Sequence, residues 1–160
     1  MGQEEYFAGL PMAFQVGVGL SRLCRGVGPV DDRLDLSVCQ QLVPEALAAA
    51  DRLAQVGVPA DVVCVTSPDL LYRAVRARQG HEQAESWVLD QVFPAERATP
   101  LVTVLDGHPY TLAFLATVNG VPVSSLGVTR FGRSGSIEDV YRHHGLDADS
   151  IVRAALDVTA

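Results

Sequence analysis

Two short stretches carry side chains that could do chemistry. In "LDGHP", Asp106 and His108 stand two residues apart, with Gly107 between them. A carboxylate beside an imidazole can orient the ring and hold its protonated form, which is the basis of an acid-base pair or of a nucleophile's activation. In "GVTRFGRSGSIEDVYRHHG", Arg130, Arg133 and Ser134 sit in a glycine-and-serine loop before a helix. Guanidinium groups near a helix N-terminus are the chemistry of anion binding. Ser67, in "VTSPD", is a third polar residue placed directly after an apolar run.

What accompanies these residues limits what they can do. All 12 basic residues are arginine, so a Schiff-base lysine and a Walker-type Gly-Lys-Ser/Thr loop are excluded. No serine or cysteine nucleophile is tied to Asp106 and His108 by a motif. The bland reading of the pair is that it caps the helix opening at Pro109. Cys24, Cys39 and Cys64 are odd in number, widely spaced and without a CxxC, which argues against a disulfide framework or a zinc site and for small buried hydrophobes or ordinary thiols. His143 and His144 are adjacent, so on a helix they point about 100° apart and cannot chelate as an i,i+4 pair would.

The elements that must position these groups follow from periodicity. "LDLSV" (34–38) reads as a short strand. "VPEALAAADRLAQVG" reads as a helix, with Pro44 and Glu45 in its first turn and Gly57 past its end. "ADVVCVTS" is a β-branched run of the kind buried in parallel sheets. Ser67 and Pro68 then open a second helix. "ESWVLDQVFP" is a short helix or irregular segment. "PLVTVLDG" is a strand, and "HPYTLAFLATVNG" a helix bounded by Pro109 and Gly120. "VPVSSLGV" is another strand. Ser136 with Asp139 resembles a capping box for the next helix, which Gly145 ends. "LDADSIVRAALDVTA" is a final helix with Asp147 as its cap. Alternating strands and helices imply an α/β fold with a mostly parallel sheet covered on both faces. In such a sheet ligands bind at the carboxyl ends of the strands. That edge would carry Ser67, then Asp106, Gly107 and His108, then Arg130, Arg133 and Ser134.

Length and charge set the outer bounds. A chain of 160 residues, 48% hydrophobic and 19% charged, is one ordinary globular domain with a sizeable core. Residues 1–33, with four glycines among apolar residues and then Gly-Pro and Asp-Asp, read as a lead-in of uncertain structure; the domain proper is 34–160. A net charge of -7 disfavours nucleic acid and anionic membrane as partners. The acidic start is unlike a secretory signal and no apolar run is long enough to span a bilayer, so a cytoplasmic location is expected.

The segment "RFGRSGSIEDVYRHHGLDADSIVRAAL", with "ADVVCVTSPDLLYRA" and "PLVTVLDGHPYTLAFLATVNGVPVSSLGVTRFG", resembles the C-terminal domain of transketolase-like thiamine diphosphate enzymes. Within that superfamily it looks most similar to the homodimeric, decarboxylating first component of pyruvate and related 2-oxoacid dehydrogenase complexes. The resemblance implies a three-layer α/β/α fold with a mixed, mostly parallel sheet. It also implies that the complete enzyme uses thiamine diphosphate and magnesium, held by two other domains through a Gly-Asp-Gly motif, to decarboxylate a 2-oxoacid or cleave a ketose and transfer the acyl or ketol unit. This sequence has no Gly-Asp-Gly, so no cofactor-binding or catalytic residue carries over. The partners implied are chains or domains carrying the cofactor, a second copy in a homodimer, and an acyltransferase or carrier protein. Where relatives have a glycine-containing turn after the first strand, this chain reads "SVCQQLVPE", a departure that leaves that loop without an expected role. Two other readings stand beside this one: a free-standing module that binds a small anion or carrier protein at the Asp106, His108, Arg133 edge, and a small enzyme built on Asp106 and His108.

Overall fold

The computed structural model describes residues 14–19, 42–132 and 134–159. Four strands, β1 (Phe14–Gly19), β2 (Ala60–Val65), β3 (Leu101–Leu105) and β4 (Val123–Leu126), form one sheet in the order β2-β1-β3-β4. Every pairing among them is parallel. β1 lies between β2 and β3, with Phe14 opposite Ala60 and Gly19 opposite Leu105. It falls inside the stretch read as a lead-in, because "FQVGVG" contains two glycines, which weaken a strand's signal, and both of its partners are distant in sequence. The strand expected at 34–38 lies outside the described residues.

Helices α1 (Leu42–Gln55), α4 (Ile137–His144) and α5 (Ala148–Asp157) supply the core on one face. There Ala46, Ala49 and Leu53 of α1 pack with Val102 and Val104 of β3, Tyr141 of α4, and Ile151 and Ala155 of α5. Helices α2 (Pro68–Arg78) and α3 (Trp87–Val92) cover the other face, where Leu71, Ala74 and Leu89 meet Leu101, Leu112 and Leu115. The alternation along β3, with Val102 and Val104 to one side and Leu101 to the other, is the two-residue period of a strand buried on both faces. The molecule is therefore a three-layer α/β/α structure. Thr103, 1% exposed, keeps its hydroxyl satisfied by donating to Ser125 Oγ across the β3–β4 pair at 3.0 Å.

Three local expectations change. Among the described residues β2 is an edge strand, and of its residues only Val65 is buried; Cys64 is exposed, which excludes the buried-hydrophobe half of its reading. The segment Pro109–Thr117 is a 3-10 helix and not an α-helix. Its two buried residues, Leu112 and Leu115, are three apart, the spacing that a helix of 3.0 residues per turn places on one side. Asp147 occupies the cap position of α5 but makes no capping bond. The Ala148 N–H instead donates to Glu45 Oε2 of α1 at 2.7 Å, and Asp147 accepts from Ser150 Oγ at 2.7 Å. A carboxylate from one helix thus meets the positive end of another, which locks α5 onto α1. The ion pair of Arg52 with Asp149 joins the same two helices nearer the surface.

At α4 Ser136 caps the helix as expected, but the Asp139 carboxylate returns to the Ser136 hydroxyl and not to its backbone N–H, so the capping box is only half formed. Ser136 Oγ accepts from Asp139 N–H at 3.2 Å and donates to Asp139 Oδ2 at 2.7 Å. Gly145, at φ 68°, ends the helix in the left-handed conformation that glycine adopts without strain. Among the described residues no helix is long and apolar enough to cross a membrane.

Candidate functional site

Asp106 follows β3, and Gly127 follows the neighbouring β4. The two loops clasp: Val128 N–H donates to Gly107 O at 2.8 Å. A Cβ at Gly127 would stand 2.6 Å from that carbonyl oxygen, so the loops approach as closely as backbone allows. Gly107, His108 and the start of the Arg130 loop are therefore brought together. Ser67 is not. It follows edge strand β2, and β1 lies between it and β3, a separation of about 10 Å at ordinary strand spacing. Its side chain makes no capping bond to α2.

Asp106 and His108 do not form a dyad; no hydrogen bond or ion pair joins them. His108 caps the 3-10 helix, its Nδ1 accepting from Tyr110 N–H at 3.3 Å. Its ring stacks on Tyr110, with centroids 5.3 Å apart and an interplanar angle of 8°. An Nδ1 that accepts a backbone proton leaves Nε2 as the protonated nitrogen of the neutral ring. The Nδ1 of His108 is thereby engaged by the backbone of Tyr110 and not by Asp106.

Asp106 has a different neighbour, Tyr141. The Tyr141 hydroxyl is buried and has no hydrogen-bond partner among the described residues. Burial first, then the charges of Asp106 and Glu45, push the phenol up to about 12. The folded state thus holds this proton more tightly than the unfolded chain, whose phenol titrates near ~10. Its contribution to stability is complete below about pH 10 and is lost as the pH rises toward about 12. Tyr141→Phe removes an unsatisfied buried hydroxyl, which costs roughly 1–3 kcal/mol where nothing pairs it. The variant is expected to melt a few degrees higher at neutral pH and to lose less stability above pH ~10. A lower melting temperature would mean that the hydroxyl has a partner in the folded molecule.

Arg130 is exposed on the loop after β4, Arg133 lies outside the described residues, and Ser134 is exposed beside the start of α4. Arg130 does not face the N-terminus of α4, as its place in the sequence suggested. That end is occupied by Ser136 and Asp139. Arg130 instead lines a hollow of about 270 Å³ at the other end of the helix, with Arg142, His143, His144, Ser150 and Arg153. Ser134 lines a second, adjoining hollow of about 460 Å³, which shares Arg142 and His143 with the first. Sequence reading missed Arg142, Ser150 and Arg153. The available signal was Gly145, which turns the chain so that the first turns of α5 meet the last turn of α4.

A family model described as the transketolase-like TK C-terminal domain matches residues 33–147. The chain belongs to this transketolase-like C-terminal domain family. Among solved structures, a "split gene transketolase, inactive beta4 tetramer" superposes with a TM-score of 0.60 at 19% identity, over 92% of this chain and 39% of that one. A transketolase from Campylobacter jejuni subsp. jejuni superposes with a TM-score of 0.51 at 14% identity, over 91% of this chain and 17% of that one. The transketolase-like domain thus spans well under half the length of either relative, and at these identities the likeness is one of fold. No curated protein sequence matches it.

Proposed function

We propose that this chain is the C-terminal domain or split subunit of a thiamine diphosphate-dependent enzyme of the transketolase or 2-oxoacid dehydrogenase type. In this reading it is non-catalytic alone and completes an assembly whose cofactor is held by other domains or chains. One observation carries the proposal: residues 33–147 match the transketolase-like C-terminal domain in a sequence with no Gly-Asp-Gly. Among the described residues no group of three or more His, Cys, Asp or Glu could hold a metal ion. The residues present do not fit thiamine diphosphate with its magnesium, so no chemical step is assigned to them. The relative described as a split gene transketolase, inactive beta4 tetramer, supports the reading of a chain of this fold as non-catalytic alone.

The surface offered to such a partner includes the carboxyl edge of the sheet. Tyr110, after β3, is 81% exposed and Phe131, after β4, is 98% exposed. Large aromatics left in water are what an interface buries, and they concentrate binding energy when buried. The family model and both structural relatives carry the transketolase name, so ketol transfer is the reaction to assay first, ahead of 2-oxoacid decarboxylation.

The test is capture of the tagged chain from lysate of its native source, with mass spectrometry of what co-purifies, followed by reconstitution. A stoichiometric partner bearing Gly-Asp-Gly is expected. Thiamine diphosphate, magnesium and a ketose phosphate or 2-oxoacid should turn over only when both are present. Turnover by the purified chain alone would overturn the proposal, as would the absence of any complex with a cofactor-bearing chain.

A further inference from the structure

The hollow between α4 and α5 has no part in the reading above, and its chemistry is specific. Arg130, Arg142 and Arg153 converge on it with His143 and His144. Among the described residues no carboxylate and no apolar side chain lines it, in a protein whose net charge is -7. Acidic groups do stand nearby, and each is engaged. Glu138 and Asp139 hold Arg142 at 2.8 and 3.5 Å along the exposed side of α4. Asp149 pairs with Arg52 of α1, and Asp147 accepts from Ser150 Oγ.

The other two arginines are left without a carboxylate partner among the described residues. Among the described residues Arg153 reaches only the Ser150 hydroxyl, at 3.0 Å, and Arg130 has no ion pair. Like charges brought to one site repel, and nothing in the packing requires these to meet, since all three arginines are exposed. The C-terminus of α4 adds partial negative charge, but two of its carbonyls are already taken: Arg142 O accepts from Gly145 N–H and Tyr141 O from Leu146 N–H. The guanidinium charges therefore decide the sign of the site.

We infer that this hollow binds a phosphate dianion, free or as the monoester of a small polar molecule. Arginine forks match tetrahedral oxyanions with paired, charge-assisted hydrogen bonds, and the His144 imidazole stands beside them on the same wall. With no apolar wall, a ring or alkyl chain gains nothing by entering, so recognition rests on the anion. A volume of about 270 Å³ holds a phosphate with a short polar tail and little more. This inference does not depend on the thiamine enzyme reading.

The experiment is titration of the full chain with inorganic phosphate, and separately with glycerol 2-phosphate, at ionic strength held constant with sodium chloride. Heat of binding and melting temperature are the readouts. Saturable binding is expected, with each of Arg130→Gln and Arg153→Gln weakening it about tenfold, the loss of one charge-assisted contact. Both side chains are exposed, so the variants should fold as the parent does. Arg78→Gln, on α2 across the sheet, should leave binding unchanged. Tighter binding of glycerol 2-phosphate would assign the site to a phosphate ester, and equal binding to the free anion. Ring resonances of His143 and His144 should shift in step with saturation. A response that only follows ionic strength would overturn the inference, as would saturable binding that both arginine variants keep.

Discussion

Gly127→Ala is expected to lower the unfolding free energy by about 3 kcal/mol, roughly 1–3 for forcing an atom into filled space and ~1 for the hydrogen bond that must yield. The reason is steric and not conformational, since Gly127 is not among the glycines of positive φ. Its Cβ would meet Gly107 O at 2.6 Å, Pro109 Cδ at 2.7 Å and Pro109 N at 2.8 Å. Two of these are backbone atoms and the third is in a proline ring, so none can rotate away. Relief requires the loops after β3 and β4 to part, which breaks the bond from Val128 N–H to Gly107 O. Thermal unfolding should show a fall of roughly 6–12 °C for a domain of this size. Gly145→Ala is the useful contrast: φ is positive there, but the nearest atom is 3.8 Å away, so only the ~1 kcal/mol of a left-handed alanine is at stake. A Gly127→Ala variant as stable as the parent would show that the two loops are not rigidly clasped.

That clasp also explains which parts of the site were legible in the sequence. The strand ends at Asp106 and Gly127 follow from apolar runs closed by Gly, and parallel strands place their ends on one edge. The partners of each side chain do not follow. His108 is spent on a backbone N–H two residues away, a local bond that competes with any bond to Asp106. The arginines of the hollow each look like an ordinary exposed helix or loop residue, and only the reversal at Gly145 brings Arg142 and Arg153 to the same place. β1 was hidden for a related reason. Its evidence is its pairing with β2 and β3, which are remote in sequence, and not its own composition. By contrast, α1, α2, α4 and α5 declared themselves, because Pro, Ser and Gly punctuation acts within a single turn.

The layer that holds α5, and with it Arg153, depends on Ile151. This side chain is fully buried against α1 and β3, and many of its helix neighbours are alanines: Ala46, Ala49, Ala148, Ala154 and Ala155. Small residues let α1 and α5 approach closely, but they have no length with which to fill a gap. An Ile151→Ala cavity therefore cannot be closed by rotamer changes, only by moving whole helices that Glu45 and Arg52 pin to the α5 N-terminus. The cost should lie in the upper part of the range for such truncations, about 3–5 kcal/mol. Urea unfolding should show the midpoint falling with the slope unchanged, since the same surface is exposed on unfolding. A cost below ~1 kcal/mol, a fraction of the usual penalty, would mean that α5 can slide into the space. The pins at its N-terminus would then not fix its position, and the geometry of Arg153 toward Arg130 would be adjustable and not preset.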